Sequence, residues 1–399
     1  MIKRLIALFI ILSHVSFIQA AEWNIGGSIN QEMSYDDNLR MQTGADKSSS
    51  FIYEFLPQLN ARYRAGNAGL AATVGYGVEV YTNELEATRQ KIDTSVTGSY
   101  QTEKINYALT ASYHNQPARN IAAEDTGNFN SNAARESWSI SPSIVYTIGV
   151  QDSLNASVQY SESLYSDEDI TLINSSNNDN SNIGFNLGWS HRWSEKYTST
   201  LSSNFSFYKS EGSARNTKNK SYSVTLGNSY TFNESWNTYL DVGYRYTGSE
   251  NSQLGFTVDH TSQGFLINLA LNYTGEVLSS GLSFSQSITP DGNGQLNQRS
   301  GVEFNVSYQL TETISSQLSS QYQKTKSIST LLLNNDRSNI TASAAISWKI
   351  TPFIFLKTSY SYRWQEEQAL INTANNNTAQ SNRIMLTLGY NWQDLTLSR

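Results

Sequence analysis

The stretch Ser34-Tyr35-Asp36-Asp37-Asn38-Leu39-Arg40-Met41 sets two carboxylates and an amide side by side, which could serve as cation ligands or as a catalytic acid pair. The spaced oxygen ligands of a known calcium loop are absent, so the expected role is local hydrogen bonding in a turn, which Asp and Asn favour. Histidine chemistry has few carriers: beyond residue 20 the chain holds only His114, His191 and His260. His114 beside a serine could form a nucleophilic pair, but it stands at the end of an alternating segment next to Asn115 and Gln116, where an interfacial polar residue is expected. The sequence contains no Gly-x-Ser-x-Gly elbow, no phosphate-binding Walker loop, no His-Glu-x-x-His and no cysteine. No catalytic, cofactor or metal residue is therefore assigned, and the chain reads as a non-enzyme.

The elements that would position any site begin with an export signal. Lys3 and Arg4 precede an apolar run from Leu5 to Phe17 that ends near the small pair Ala20 and Ala21. This is the pattern of a secretory signal peptide over 1–20, leaving 21–399 as the mature domain. The run is shorter than the roughly 20 residues a membrane-spanning helix needs. Losing Lys3 and Arg4 leaves 25 of the 27 basic residues against 34 acidic ones, a net charge of −9. With no basic cluster to hold phosphates, nucleic acid is not an expected partner.

Composition selects the class. Mean hydropathy is −0.46 and only 15% of residues are charged, yet 12% are aromatic, with 24 Tyr and 8 Trp. A soluble domain carries about 25% charge, and a disordered chain lacks the aromatics. The mature chain also has no apolar run long enough for a membrane helix. A β protein in which every apolar position has a polar neighbour fits all three facts.

The alternation is explicit in Ser221 to Phe232, SYSVTLGNSYTF, where Tyr222, Val224, Leu226, Tyr230 and Phe232 share one face and Ser and Thr dominate the other. After a short turn, Trp236, Leu240, Val242, Tyr244 and Tyr246 share a face opposite Asn237, Asp241 and Arg245. Charges alternating with aromatics fit a wall with lipid on one side and water on the other. The pattern recurs for about 18 strands, the first over 24–35 and the last over 381–392, an even count typical of bacterial barrels.

Connections alternate in length. Short turns, such as Arg64 to Asn67 and Asn233 to Ser235, exchange with polar loops over 36–49, 82–90, 116–134, 165–180, 210–218, 249–261, 290–297, 325–336 and 366–380. That asymmetry matches short periplasmic turns and long external loops, with aromatic side chains at strand ends marking the lipid headgroups. The expected fold is an all-β, up-and-down transmembrane barrel integral to the outer membrane, in contact with its lipid and lipopolysaccharide.

Tyr35-Asp36-Asp37-Asn38-Leu39 after a first strand, followed by the strand Phe51-Ile52-Tyr53-Glu54-Phe55-Leu56-Pro57-Gln58-Leu59, resembles the opening of the β-barrel porin type 2 family. The resemblance implies an outer-membrane channel that carries exopolysaccharide or capsular polysaccharide outward alongside a periplasmic polysaccharide-export protein. Many such barrels end on an aromatic residue, whereas here Trp392 is followed by Gln393 to Arg399.

Strand parity assigns Arg62, Glu79, Asp93, Asp241, Arg245, Glu303, Lys349, Lys357, Arg363 and Arg383 to the lumen. A Lys or Arg turned toward lipid at mid-membrane would cost about 2–4 kcal/mol, which makes parity informative. The early strands supply mostly acids and the last three supply four bases, so a transverse field across the pore is expected. A barrel of this size leaves an aqueous channel. The loops 116–134 and 165–180 are the longest candidates to narrow it. Besides polymer export, the same features suit a diffusion porin for small hydrophilic solutes, or a surface adhesin or receptor acting through its loops.

Overall fold

The computed structural model describes residues 21–398 apart from 45–46, 123–128, 130, 167–177, 213–214, 254–255, 292–295, 329–335 and 368–376. The expected signal peptide, 1–20, lies outside the described residues. Among the described residues eighteen antiparallel strands form one sheet. They are β1 (Ala21–Asp36), β2 (Ser50–Ala65), β3 (Ala68–Tyr81), β4 (Arg89–Gln101), β5 (Ile105–Pro117) and β6 (Ala134–Thr147). Then follow β7 (Asp152–Tyr165), β8 (Asp179–Arg192), β9 (Tyr197–Glu211), β10 (Arg215–Thr231), β11 (Trp236–Gln253) and β12 (Phe256–Thr274). The last are β13 (Leu278–Pro290), β14 (Leu296–Gln309), β15 (Ile314–Ser327), β16 (Arg337–Lys349), β17 (Ile354–Glu367) and β18 (Asn377–Ser398).

Each strand pairs with its neighbours in the chain, and β18 returns to pair with β1, so the sheet is closed. Closure gives every backbone group in lipid a partner, which an open sheet edge could not do. The tight connections at one end are built by short polar side chains. Thr311 Oγ1 accepts from the Ile314 amide at 3.0 Å, Thr351 Oγ1 from Ile354 at 2.9 Å, and Asn233 Oδ1 from Trp236 at 2.9 Å. Gly66, with φ 51°, opens the two-residue turn between β2 and β3, a position that requires positive φ.

The barrel is apolar outside and polar inside. Tyr222, Val224, Leu226 and Tyr230 of β10 are exposed on the outer surface, as are Leu240, Val242, Tyr244 and Tyr246 of β11. Aromatic pairs mark both rims of this band: Trp23 with Tyr63 and Trp236 with Tyr273 at the turn end, Tyr35 with Phe51 and Trp138 with Tyr160 at the loop end. From Trp236 to Tyr246 is the span of about ten residues that a tilted strand needs to cross a bilayer. This is an integral outer-membrane β-barrel, the spanning architecture of that membrane.

Three expectations change. Glu211 and Arg215 nearly meet, as do Gln253 and Phe256, so the loops expected over 210–218 and 249–261 are mostly strand. Above the lipid there is no apolar face to alternate, yet the ladder continues, held by inner pairs such as Thr217 Oγ1 to Asn251 Oδ1 at 2.9 Å. The segment after Trp392 is also strand. Gly27 faces Trp392 while Ile25 faces Leu395, so a bulge near Gln393 inserts one residue. The insertion reverses parity and turns Leu395 and Leu397 outward, which hides the strand from a period-two reading.

The third change concerns Asp36 to Asn38, which are more than a local turn. Asp36 ends β1, is 0% exposed, and accepts from Arg363 at 2.6 Å and from Ser381 Oγ at 2.6 Å. Asp37 accepts from the Asn382 amide and side chain, both at 2.7 Å. Asn38 Nδ2 donates to the Gln380 carbonyl at 2.9 Å. The expected local turn is present as well: the Asn38 amide donates to Asp36 Oδ1 at 3.0 Å, and the Asn38 side chain donates to the Gln42 carbonyl at 2.8 Å and accepts from the Gln42 amide at 2.9 Å. The stretch fastens the beginning of the chain to its end.

Removing the carboxylate leaves Arg363 without its counter-ion, so Asp36→Ala is expected to lower folding stability by about 3–5 kcal/mol. Urea unfolding followed by tryptophan fluorescence in lipid vesicles measures it, with Asp37→Ala expected to lose less.

Candidate pore constriction

The side chains that narrow the lumen come from the loop ends of the strands and from two inward-folded segments. Strand register puts Glu32 opposite Glu54 and Glu54 opposite Glu79, a row of three acids on the inner face of β1, β2 and β3. Like charges directly opposite destabilise a sheet, so the row requires a cation. Lys91 of β4 supplies it, with Nζ 2.7 Å from Glu54 Oε1 and 3.3 Å from Glu79 Oε2. Glu54 and Glu79 are 5% and 2% exposed, so this ammonium offsets two nearly desolvated carboxylates.

Beside them the Asp36 and Arg363 pair is joined by Arg383, whose Nε donates to Ser34 Oγ at 3.1 Å. The segment after β5 then closes over the group. Arg119, 3% exposed, lies over the Tyr81 ring at 4.6 Å and donates to the Ala87 carbonyl at 2.8 Å. Phe129 lies 5.5 Å from the Arg363 guanidinium and packs with Met41, Ala122 and Ala379. Arg40, paired with Glu84 at 2.7 Å, and Arg89 both hold Asn132. A cavity of about 300 Å³ remains between these groups, lined by four acids and four bases.

A second inward element is the tip of the β13–β14 hairpin. The ladder between β12 and β13 ends at Ile267 opposite Gln286, while β11 with β12 and β13 with β14 continue upward. Freed from the wall, the described ends of the hairpin, up to Asp291 and from Leu296, turn into the lumen. Tyr208 of β9 donates to the Asp291 carbonyl at 2.8 Å, Arg245 donates to the Ile288 carbonyl, and Asn297 Nδ2 donates to Asp291 Oδ2 at 2.8 Å. Between this tip and β5–β11 lies a cavity of about 630 Å³.

Of the ten residues assigned to the lumen by parity, Glu79, Arg363 and Arg383 meet in the smaller cavity and Arg245 lines the larger. The other six share the same inner face by register but stand apart. Asp93 lies 3.4 Å from His114, Asp241 accepts weakly from Asn268 at 3.3 Å, and Arg62 and Lys349 stand exposed toward the turn end. Glu303 and Lys357 occupy the inner rows of β14 and β17. Glu32, Asp36, Glu54, Lys91, Arg119 and Arg135 were not anticipated. Glu54 was legible, being the lone charge between Tyr53 and Phe55 with the parity of Arg62; Arg119, outside any strand, carried no signal. Of the two loops expected to narrow the bore, 116–134 folds inward where described, and 167–177 of the other lies outside the described residues. The narrowing hairpin at 290–297 was not foreseen.

Lys91→Met is expected to cost about 3–5 kcal/mol by stranding Glu54 and Glu79, and adding Glu54→Gln should recover part of the loss. Urea midpoints for the two single variants and the double give the coupling.

No family model and no curated protein matches the chain. Among solved structures, OccAB4 of Acinetobacter baumannii is similar at 10% identity and a TM-score of 0.49, covering 94% of this chain and 99% of its own. OccK7 of Pseudomonas aeruginosa is similar at 11% identity and TM-score 0.48, with 94% and 99% covered. The FrpB iron transporter of Neisseria meningitidis is similar at 10% and TM-score 0.48, with 92% and 81% covered. Nothing about solute follows from barrels this distant; the chain is an eighteen-stranded outer-membrane β-barrel.

Proposed function

We propose that the protein is a diffusion channel for small hydrophilic solutes. The observation that carries this reading is the constriction: ionised side chains are turned into the bore, neutralised in pairs, and overlaid by two inward-folded segments. Such an arrangement sets size and charge limits on what passes. In this reading Arg62, Glu79, Asp93, Asp241, Arg245, Glu303, Lys349, Lys357, Arg363 and Arg383 line the path. Polysaccharide export with a periplasmic partner, implied by the resemblance, needs a wide and smooth bore. The hairpin tip and the segment after β5 weigh against that cargo. A surface receptor would carry its specificity in outer loops, whereas the charged groups found here are gathered inside.

Purified protein in planar bilayers is expected to give stepwise, ohmic conductance in potassium chloride. A variant in which Ile288 to Leu296 is replaced by a short turn should conduct more per step. Absence of steps from folded, inserted protein would remove the channel reading; equal conductance in the shortened variant would remove the hairpin from the constriction. In the same bilayers Glu79→Gln should move the reversal potential toward anion selectivity, by subtracting one negative charge from the path.

A further inference from the structure

The two sides of the lumen handle charge differently. Around the smaller cavity Arg363 and Lys91 sit against carboxylates. Around the larger one, Arg135 and Arg245 do not. Arg135 donates to Ser163 Oγ at 2.8 Å and to Ser137 Oγ at 3.5 Å, and Arg245 to a backbone carbonyl. The Nε of each is buried and makes no hydrogen bond among the described residues. Among the described residues lining that cavity none is acidic. Two acids flank the lining: Glu162 accepts from Trp138 Nε1 at 2.9 Å, and Asp93, largely exposed, lies 3.4 Å from His114.

The rest of the lining is mostly small and polar, with His114, Trp138 and Tyr208 beside it. Seven serines, three asparagines and a threonine contribute side chains, all from inner-face positions of β5–β10 and β13. Hydroxyls and amides both donate and accept, so they exchange partners readily with the hydroxyls of a bound polyol. Two guanidiniums with no carboxylate partner among the described residues favour an anion, and their forked donors match a carboxylate. A cavity of about 630 Å³ with this lining has room for a monosaccharide and its water, and offers little to a purely apolar acid.

Resting on the channel reading, the geometry points to a binding site for acidic sugars, monosaccharides that bear a carboxylate. Arg135 and Arg245 meet the carboxylate while the Ser and Asn wall meets the hydroxyls. The site lies in the outer half of the lumen, since Arg135 begins β6 next to the external loop and Tyr244, adjacent to Arg245, belongs to the outer aromatic rim.

The test is block of single-channel current in planar bilayers by D-glucuronate, D-glucose and acetate, each added to the wild-type chain. Glucuronate is expected to interrupt the current at concentrations where neither of the others does. Arg135→Gln and Arg245→Gln should each weaken that block by about tenfold, the value of a charge-assisted hydrogen bond. Equal block by glucose overturns the requirement for the carboxylate, and equal block by acetate overturns the requirement for the hydroxyls. Because Arg245 also holds the hairpin tip, Arg135→Gln decides if Arg245→Gln fails to insert; unchanged block in Arg135→Gln overturns the site. Wild-type channels that conduct potassium chloride but ignore glucuronate defeat this inference alone, whereas folded protein without conductance defeats the channel reading on which it rests.

Discussion

Everything in this molecule depends on closing the hydrogen-bond ladder between β1 and β18. A strand edge left open in hydrocarbon strands a series of amides and carbonyls, each costing several kcal/mol. Closure must be achieved by residues more than 340 positions apart in sequence, and the chain reinforces it where the backbone alone would fray. Asp36, Asp37 and Asn38 engage Arg363 and the beginning of β18 from one side. At the other end Gly26 and Gly27 leave room for Asp394 and the Trp392 ring, where any side chain on β1 would collide. The seam is thus tied at the loop end by charge and fitted at the turn end by the absence of side chains.

Closure also decides where charge can go. With lipid outside, the inner face is the only place for ionised groups at membrane depth, and crowding them there forces acids into adjacent positions. The row Glu32, Glu54 and Glu79 is a consequence, and Lys91 is its remedy. The result is a lumen with two characters. One wall is internally neutralised and rigid, joined through Arg119 and Phe129 to the segment above it. The other carries small polar side chains and cations with no carboxylate partner among the described residues.

The architecture was legible because outward positions alternate strictly with inward ones wherever lipid is present. Strand count, the polarity of the loops and the aromatic rims all follow from that periodicity. It fails where lipid stops. The upper halves of β10 and β11 are polar on both faces, and β12 enters with only Phe256 and Val258 as apolar residues, so 210–218 and 249–261 read as loop although the ladders persist over the described residues. It fails again at the bulge in β18, where a single extra residue reverses the parity. Charge pairing was less legible than facing. Parity turns Arg363 inward but says nothing of Asp36, whose proximity depends on a closure that no local window contains. Arg135 and Lys91 sit near strand starts, where the boundary between loop and wall is least defined.

The separation of β13 from β12 has a mechanical consequence. Around most of its circumference the barrel behaves as a stack of hydrogen-bonded hoops, each resisting expansion through every strand pair it crosses. Above Ile267 and Gln286 the hoops are cut, and only side-chain contacts such as Gln286 Nε2 to the Phe265 carbonyl at 3.3 Å span the notch. The cut lies at the outer aromatic rim, beside Phe265 and Tyr244, so most of the lipid-embedded girth keeps its full hoop strength. The outer mouth is therefore the compliant part of an otherwise stiff tube, and changes in its cross-section begin at this notch.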